Sequence, residues 1–338
     1  MISGPATRAS DLLGHDVRSD PWPEQGRSSY GLATQALEQG RVDDAVALAR
    51  MTVQEAQEAH DLYRSWLGRL PALMVDLGVP EHALAESSLA TAQVAEGLEV
   101  GWNRYVELIE LFAQRAEDAP VARGLLEDAR SSWLAAHDPA TDRLAGLLAL
   151  AADTIGEAVV GRLWDALLVD YYDAVSEKYD PATVPWSRSV ERLGLDIFEA
   201  VRGHLTGPLR DGSFAVREEP DRWVLEFAPC GSGGRTYPGS TAGERDPREF
   251  TQGKHDWAWR TEGVCLYCAH CCQLQQRAPI QALGFPLRVI EPPVRATGRA
   301  PGRATCTWSI YKDPAATPAH AWTDVGADAP AGAPVTRR

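Results

Sequence analysis

The chain has 338 residues, of which 47 are acidic and 33 basic, and its formal net charge is −14 at pH 7. This length suffices for one large or two medium hydrophobic cores, and a hydrophobic content of 44% excludes disorder throughout. Binding to phosphate backbones needs clustered lysine and arginine, which an acidic chain without a basic stripe does not supply. We therefore expect no nucleic-acid partner.

The N-terminal segment 1–27 contains Asp, Pro and Gly where a secretory signal has an unbroken apolar run. No window holds the roughly 18 apolar residues of a membrane span. The sequence thus predicts a flexible N-terminus, a cytoplasmic location and no membrane partner.

Residues 28–208 have the apolar spacing of an all-α helical domain, with apolar residues at three- and four-residue steps. Two such stripes are Trp102, Tyr105, Val106, Ile109 and Phe112, and Trp164, Leu167, Leu168, Tyr171 and Val175. Turn signals at Gly40, Leu77–Pro80, Pro139 and Pro181 predict helix ends. The pattern indicates six to eight helices, as an antiparallel bundle or an array of helical hairpins, with a surface suited to a protein partner or a homodimer.

From residue 209 the pattern changes, and residues 209–313 are predicted to form a smaller α+β domain. Alternating apolar residues on either side of Glu218–Asp221 predict a β-hairpin. A long mobile loop (231–254), a helix holding most cysteines, a strand at 287–290 and a last strand at 306–311 follow, and the composition of the tail 314–338 indicates disorder. The predicted fold class is therefore α+β.

All six cysteines lie between Cys230 and Cys306, and four of them fall in the run Cys265-Leu-Tyr-Cys268-Ala-His270-Cys271-Cys272. On a helix, Cys268, Cys271 and Cys272 would share one face, with Cys265 one turn earlier on the same side. Cys230 or Cys306 would then complete a tetrahedral zinc site. The predicted metal ligands are accordingly Cys230, Cys268, Cys271, Cys272 and Cys306.

Two other interpretations of the cysteines stay open. Cys265, Cys268 and Cys271 also have C-x-x-C-x-x-C spacing, which with Cys230 would fit an iron–sulfur cluster. Alternatively, buried free cysteines act as small hydrophobic residues.

The segment Cys230-Gly-Ser-Gly-Gly-Arg235 places a thiol before a glycine-rich loop. Gly231, Gly233 and Gly234 would let backbone N–H groups turn toward a bound anion, with Arg235 binding a substrate carboxylate. Cys230 is a metal ligand, a nucleophile or a residue at a flexible turn, and Arg235 is otherwise a solvated side chain. His270 and His255 are the candidate acid–base residues.

The C-terminal part, over roughly residues 212–312, resembles the 4-vinyl-reductase-like small-molecule-binding domains and the related L-2-amino-thiazoline-4-carboxylate hydrolase-like proteins. The resemblance is carried by Cys268 on a helix, Gly284, the strand PLRVIEP ending at Glu291, and Cys306-Thr-Trp308-Ser-Ile310. Val294 stands where the zinc-binding members have a second cysteine. The resemblance implies an α+β domain with a largely apolar pocket that senses or converts a small compound.

Together these observations predict a zinc-binding protein whose C-terminal domain holds a small organic molecule, as a metal-dependent hydrolase or lyase. A non-catalytic binding or interaction protein with a structural zinc is one alternative, and an iron–sulfur protein is the second.

Overall fold

The computed structural model describes residues 5–237, 245–297 and 301–335. The segment predicted to be a flexible N-terminus is folded where it is described. Strands β1 (Thr7–Ser10) and β2 (His15–Arg18) pair as an antiparallel hairpin. Arg18 is 1% exposed. Its guanidinium binds Asp20 and backbone carbonyls, which anchors the hairpin to the helices.

Seven helices follow between residues 28 and 205, within the predicted six to eight. They are α1 (Ser29–Glu38), α2 (Val42–Asp76), α3 (Glu81–Arg115), α4 (Ala119–Ile155), α5 (Ala158–Leu167), α6 (Val169–Tyr179) and α7 (Trp186–Gly203). The Ser28 hydroxyl caps α1 by accepting from the N–H of Gly31. Gly40, with a φ of +69°, makes the turn to α2. The predicted stripe on α3 is confirmed, because Tyr105 and Phe112 are fully buried.

Two details of the helical prediction are wrong. Pro139 was predicted to end a helix, but it lies inside α4. The helix continues because residues on both sides, including Trp133 and Leu144, are fully buried, and this burial outweighs one lost backbone hydrogen bond. The second predicted stripe is shared by α5 and α6, which are separate helices on either side of Leu168.

The C-terminal part contains a four-stranded antiparallel sheet. Its strands are β3 (Ala215–Glu218), β4 (Arg222–Phe227), β5 (Val289–Glu291) and β6 (Cys306–Tyr311), in the spatial order β3-β4-β6-β5. The predicted hairpin and last strand are confirmed. Phe227 pairs with Cys306, so the end of β4 and the start of β6 lie side by side.

The cysteine-rich segment is less helical than predicted. Helix α8 covers only Ala269–Cys272, and a π-helical turn (Gln273–Arg277) and α9 (Ala278–Leu283) follow it. Cys265 lies outside the helix, in a β-bridge with Phe250, so the expected placement one helical turn before Cys268 is wrong. The backbone at Cys265 is extended and not helical because the N–H of the next residue, Leu266, donates a hydrogen bond to the Glu249 carbonyl.

The tail, predicted to be disordered from residue 314, is folded over residues 314–335. It contains α10 (His320–Thr323), and Trp322 is 3% exposed. The Trp322 indole N–H donates to the carbonyl of Gly284, 3.1 Å away. One large aromatic side chain thus holds a segment whose average composition is typical of disorder.

One hydrophobic core runs through both halves of the chain, since the same cluster contains Trp66, Trp164, Phe227 and Tyr267. The division into domains at residue 208 therefore stays a prediction. Among the described residues, no helix is long and apolar enough to cross a membrane.

A buried ion cluster joins α2 to α7. The Arg202 Nε lies 2.5 Å from Glu55 Oε1, and both side chains are 2% exposed. Glu55 also accepts a hydrogen bond of 2.7 Å from Ser29. This carboxylate is the negative centre between Arg202 and the nearby Arg18.

We predict that Glu55→Gln lowers the free energy of unfolding by about 3–5 kcal/mol, because it leaves buried guanidinium charge uncompensated. Urea denaturation measures this loss. Glu110→Gln is the control, since Glu110 pairs with Arg50 at 2.9 Å on the surface and should cost less than ~1 kcal/mol. Equal losses in the two variants would contradict the role given to Glu55.

Burial raises the pKa of Glu199, beside His15 and Gln54, to about 7. The folded state therefore holds a proton that the unfolded chain loses near pH 4.5. We predict that stability falls between pH 4.5 and 7, by at most about 1.4 kcal/mol per pH unit, and levels off above pH 7. Glu199→Gln should flatten this part of the curve in urea unfolding measured from pH 5 to 8. An unchanged slope in the variant would assign the dependence to other groups.

Candidate functional site

Cys265 and Cys268 lie at the centre of the candidate site. The N–H of Cys265 donates to the Tyr237 hydroxyl at 2.8 Å, which fixes the chain beside the glycine-rich segment. The Trp164 indole donates to the carbonyl of Leu266 at 3.0 Å and ties the intervening residues to α5. These contacts explain why the C-x-x-C run is held deep in the protein without being helical.

Three other cysteines join this pair from separate parts of the fold. Cys230 follows β4, Cys271 lies on α8 and Cys306 opens β6. Cys268 interacts electrostatically with Cys230, Cys265 and Cys271, and Cys306 interacts with Cys230 and Cys271. Cys271 also interacts with its neighbour Cys272. We call Cys230, Cys265, Cys268, Cys271 and Cys306 the thiol cluster. Residues 35 or more apart in sequence therefore meet in one region of the structure.

The electrostatics of the cluster disfavour thiolates. A hydrogen bond with Cys265, burial and the neighbouring thiols raise the pKa of Cys268, whereas the hydrogen bond from Cys268 lowers the pKa of Cys265. Burial raises the pKa values of Cys271 and Cys306. A single negative charge is thus tolerated at the pair, while several thiolates together need a compensating cation.

Cys272, a predicted ligand, faces a different neighbourhood. Its thiol donates to the carbonyl of Asp256 at 3.4 Å, and burial raises its pKa to about 12. Adjacent helical residues project about 100° apart, so Cys271 and Cys272 point to different surroundings. Within residues 5–237, 245–297 and 301–335, no three Cys, His, Asp or Glu side chains are arranged to hold a metal ion.

The glycine-rich segment packs directly against the thiols. A Cβ on Gly233 would lie 2.3 Å from the Cys268 sulfur and 3.7 Å from the Cys265 sulfur, and a Cβ on Gly234 would lie 2.7 Å from the Cys230 Cβ. The N–H of Gly231 donates to the Thr206 hydroxyl at 3.2 Å. These glycines therefore provide close packing, and at Gly231 the N–H expected to face an anion is already bonded.

Two predicted site residues have protein partners of their own. Arg235 is 2% exposed and forms ion pairs with Asp138 and Asp142. The His255 Nε2 lies 2.5 Å from Glu157 Oε2, and its ring stacks on Trp257. Of the loop predicted as mobile, residues 231–237 and 245–254 have defined positions, and 238–244 lie outside the described residues.

His270 is placed for acid–base chemistry at the cluster. Its Nδ1 lies 2.7 Å from the Tyr267 carbonyl, which only accepts, so Nδ1 carries the proton. Nε2 is then an acceptor, 3.3 Å from the Cys271 sulfur. Burial lowers the pKa of His270 to about 4, so the imidazole is neutral at physiological pH.

A buried polar network adjoins His270, whose ring packs on Tyr267 at a centroid distance of 4.8 Å. The Tyr63 hydroxyl accepts from Tyr267 at 3.1 Å and contacts His137 and His204 at 3.2 and 3.1 Å. Burial lowers the pKa values of both histidines, so they are neutral hydrogen-bonding groups. Sequence reasoning missed this network, because its members are 63 or more residues apart and share no motif.

We use the name hollow for the space bordered by Cys230, Cys268, His270 and Cys271. All four keep part of their surface accessible to water. Burial nevertheless dominates the pKa values of Cys271 and His270, which shows that they lie deep in the molecule. From the partial accessibility of these buried groups we infer a space at this position, where a small-molecule site would lie.

Arg288 lies near this hollow and was also missed by sequence reasoning. It is 7% exposed, and its guanidinium stacks over the Trp308 ring at 4.9 Å from the centroid. It interacts electrostatically with Cys271. No motif marks it, because a single arginine at the start of a strand is common on protein surfaces.

The residues of the proposed resemblance take separate positions. Cys306 belongs to the thiol cluster and Gly284 ends α9, whereas Glu291 is exposed and pairs with Arg303 at 3.1 Å. Comparison with protein-family models, with curated proteins and with solved structures gives no match for this chain. The resemblance therefore stays a prediction.

We predict that Gly233→Ala lowers the free energy of unfolding by about 1–3 kcal/mol, because the added methyl group collides with the Cys268 sulfur. Gly124→Ala, at an exposed position in α4 with no atom within 4 Å of the added carbon, is the matched control. The free energy of unfolding of Gly124→Ala should rise by about 0.5–1 kcal/mol, because alanine has a higher helix propensity than glycine. Urea unfolding compares the two, and a neutral Gly233→Ala would show that the thiols are not packed against the segment.

Proposed function

We propose that this protein binds a transition-metal ion, zinc in the first place, through thiolates of the thiol cluster, and holds a small organic molecule in the adjoining hollow. The observation that supports this proposal most directly is that the five thiols of the cluster, from distant segments, interact with one another electrostatically. Three of them, Cys230, Cys268 and Cys271, are also partly accessible to water. The buried, mutually interacting thiols are the supporting evidence.

The chemistry of the thiols favours a cation. Burial and mutual repulsion keep several of these groups protonated, and a divalent ion reverses both effects by neutralising thiolate charge. Zn²⁺ takes four ligands in a tetrahedron and prefers thiolate sulfur. A cysteine sulfur moves by rotation about one bond, and the proposal requires such rotations to bring the sulfurs to one ion.

We assign Cys230, Cys268, Cys271 and Cys306 as the ligands. Cys265 is not a ligand in this assignment and forms a hydrogen bond with Cys268. Cys306 pairs with Phe227 at the end of β4, and Cys230 follows that strand and interacts electrostatically with Cys306. Cys268 and Cys271 come from the start of α8. Cys272 is left out of this set because its thiol bonds to the carbonyl of Asp256.

The catalytic version of this function is supported by His270. Its unprotonated Nε2 faces the hollow next to Cys271, where it can take a proton from a substrate or from water. A zinc ion would supply Lewis-acid polarisation in a hydrolase or lyase. With all four assigned cysteines bound, the zinc would be structural and the protein a binding protein, so the catalytic version requires that water or substrate replace one of the four.

We predict one zinc ion per chain in protein purified anaerobically, measured by elemental analysis. Cys268→Ser and Cys230→Ser should each lose most of this metal and unfold at a lower temperature. Cys272→Ser is the matched control, since it removes a buried thiol from the same short helix and should keep its zinc.

The proposal fails if the wild-type protein is metal-free as purified and takes up no zinc in titration. Loss of zinc from folded Cys272→Ser and retention by Cys268→Ser would overturn the ligand assignment. Iron together with acid-labile sulfide would replace the zinc site by an iron–sulfur cluster.

A further inference from the structure

Arg288 is a buried cation without a close counter-charge. Its Nε is inaccessible to solvent and has no hydrogen-bond partner, and no carboxylate within the described ranges comes within 4.0 Å of its guanidinium nitrogens. A buried guanidinium is costly unless its donors are satisfied. The protein therefore retains here a group whose natural partner is an oxyanion.

The strand geometry fixes the direction of this side chain. Arg288 directly precedes β5, and Ile290 of that strand pairs with Trp308 of β6. Residues two apart on a strand share a face, so Arg288 and Trp308 project from the same side of the sheet. The stacking over the indole ring then holds the planar guanidinium in one orientation.

Other titratable groups act on Arg288 over a longer distance. Tyr179, Asp196, Cys271 and Glu58 all interact with it electrostatically. Asp196 already accepts a hydrogen bond of 2.9 Å from the Tyr179 hydroxyl. Glu58 is an exposed residue of α2, and burial of its carboxyl raises its pKa.

We propose that Arg288 binds the anionic oxygen group, carboxylate or phosphate, of the small molecule in the hollow, and that Trp308 orients the guanidinium for this purpose. This assignment adds a ligand class to the proposed function, and it depends on that proposal for the metal site at which the ligand would react. Guanidinium binds such groups through two parallel N–H···O bonds, which position as well as attract the ligand. The ligand class is therefore an acidic small molecule whose other end reaches the thiols near Cys271.

The test uses benzoate, inorganic phosphate and neutral benzamide as probes, with binding measured by calorimetry and by Trp fluorescence on the full chain. We expect the wild-type protein to bind one of the two anions at least ~10-fold more tightly than benzamide. Arg288→Gln should remove that preference, and Arg288→Lys should restore part of it. Arg303→Gln is the matched control, since Arg303 is an exposed arginine paired with Glu291 and should leave binding unchanged.

Preference for benzoate identifies a carboxylate ligand, and preference for phosphate identifies a phosphorylated one. The inference is overturned if neither anion binds the wild-type protein at millimolar concentration, or if Arg288→Gln binds as tightly as the wild type. If Arg288→Gln does not fold, the shift in melting temperature of the wild type with each anion against benzamide replaces the variant, and equal shifts overturn the inference.

The same titrations on Cys268→Ser separate this inference from the metal proposal. Anion binding that persists in a folded, metal-free variant supports the role of Arg288 by itself. A zinc-loaded wild-type protein that shows no anion preference refutes the role of Arg288 and leaves the metal site standing.

Discussion

Gly231 lies against the carbonyl oxygen of His204, and a Cβ at that position would be only 1.8 Å from this oxygen. The end of α7 and the segment after β4 therefore meet backbone to backbone, which is open only to glycine. Two residues later, Gly233 makes the same kind of approach to the sulfur of Cys268. The thiol cluster depends on these contacts, because any side chain here would separate Cys230 from the cysteines of α8.

The same contact brings the helical part of the chain to the site. His204 hydrogen-bonds to His137 and Tyr63, and Tyr63 continues to Tyr267, next to Cys268. Burial opposes ionisation of Asp138, but hydrogen bonds with His137 and Arg210 outweigh it and lower the pKa of this carboxyl. The network thus ends in the ion pairs of Asp138 with Arg210 and Arg235, and its histidines and tyrosines are neutral. Such a satisfied network makes a rigid support for neighbouring side chains.

The sequence predicts the elements that follow from local periodicity. The stripe ending at Phe112 predicts α3, and alternation around Leu225 predicts the hairpin, since both are regular local patterns of apolar residues. Pro139 and Trp322 show the limits of local rules. Proline is tolerated inside α4 by tertiary burial, and one indole group holds a tail whose average composition is typical of disorder.

Cysteine spacing predicts the thiols of the candidate site but not its other residues. The gathering of thiols around Cys268 was expected from their density. Cys306 opens β6 as predicted, whereas Cys230 lies beyond the end of β4. Cys272 has separate surroundings because it projects about 100° away from Cys271, toward the carbonyl of Asp256, and spacing alone does not reveal that carbonyl. The role of Arg288 was not predictable from the sequence. It is inferred from a buried Nε without a hydrogen-bond partner, and only the three-dimensional structure shows this.

Thiolates and a guanidinium in one hollow are chemically complementary. A zinc ion bound by four thiolates leaves a net charge of −2, and a buried anionic centre is stabilised by a nearby cation. Arg288 interacts with Cys271 and is held on Trp308, so its charge is present whether or not a ligand occupies the hollow. An acidic ligand would share this guanidinium with the thiolates, and the two kinds of negative charge would then oppose each other. In the proposed complex the molecule would therefore bring its acidic group to Arg288 and an uncharged or positive end to the thiols, which would give it one orientation in the site.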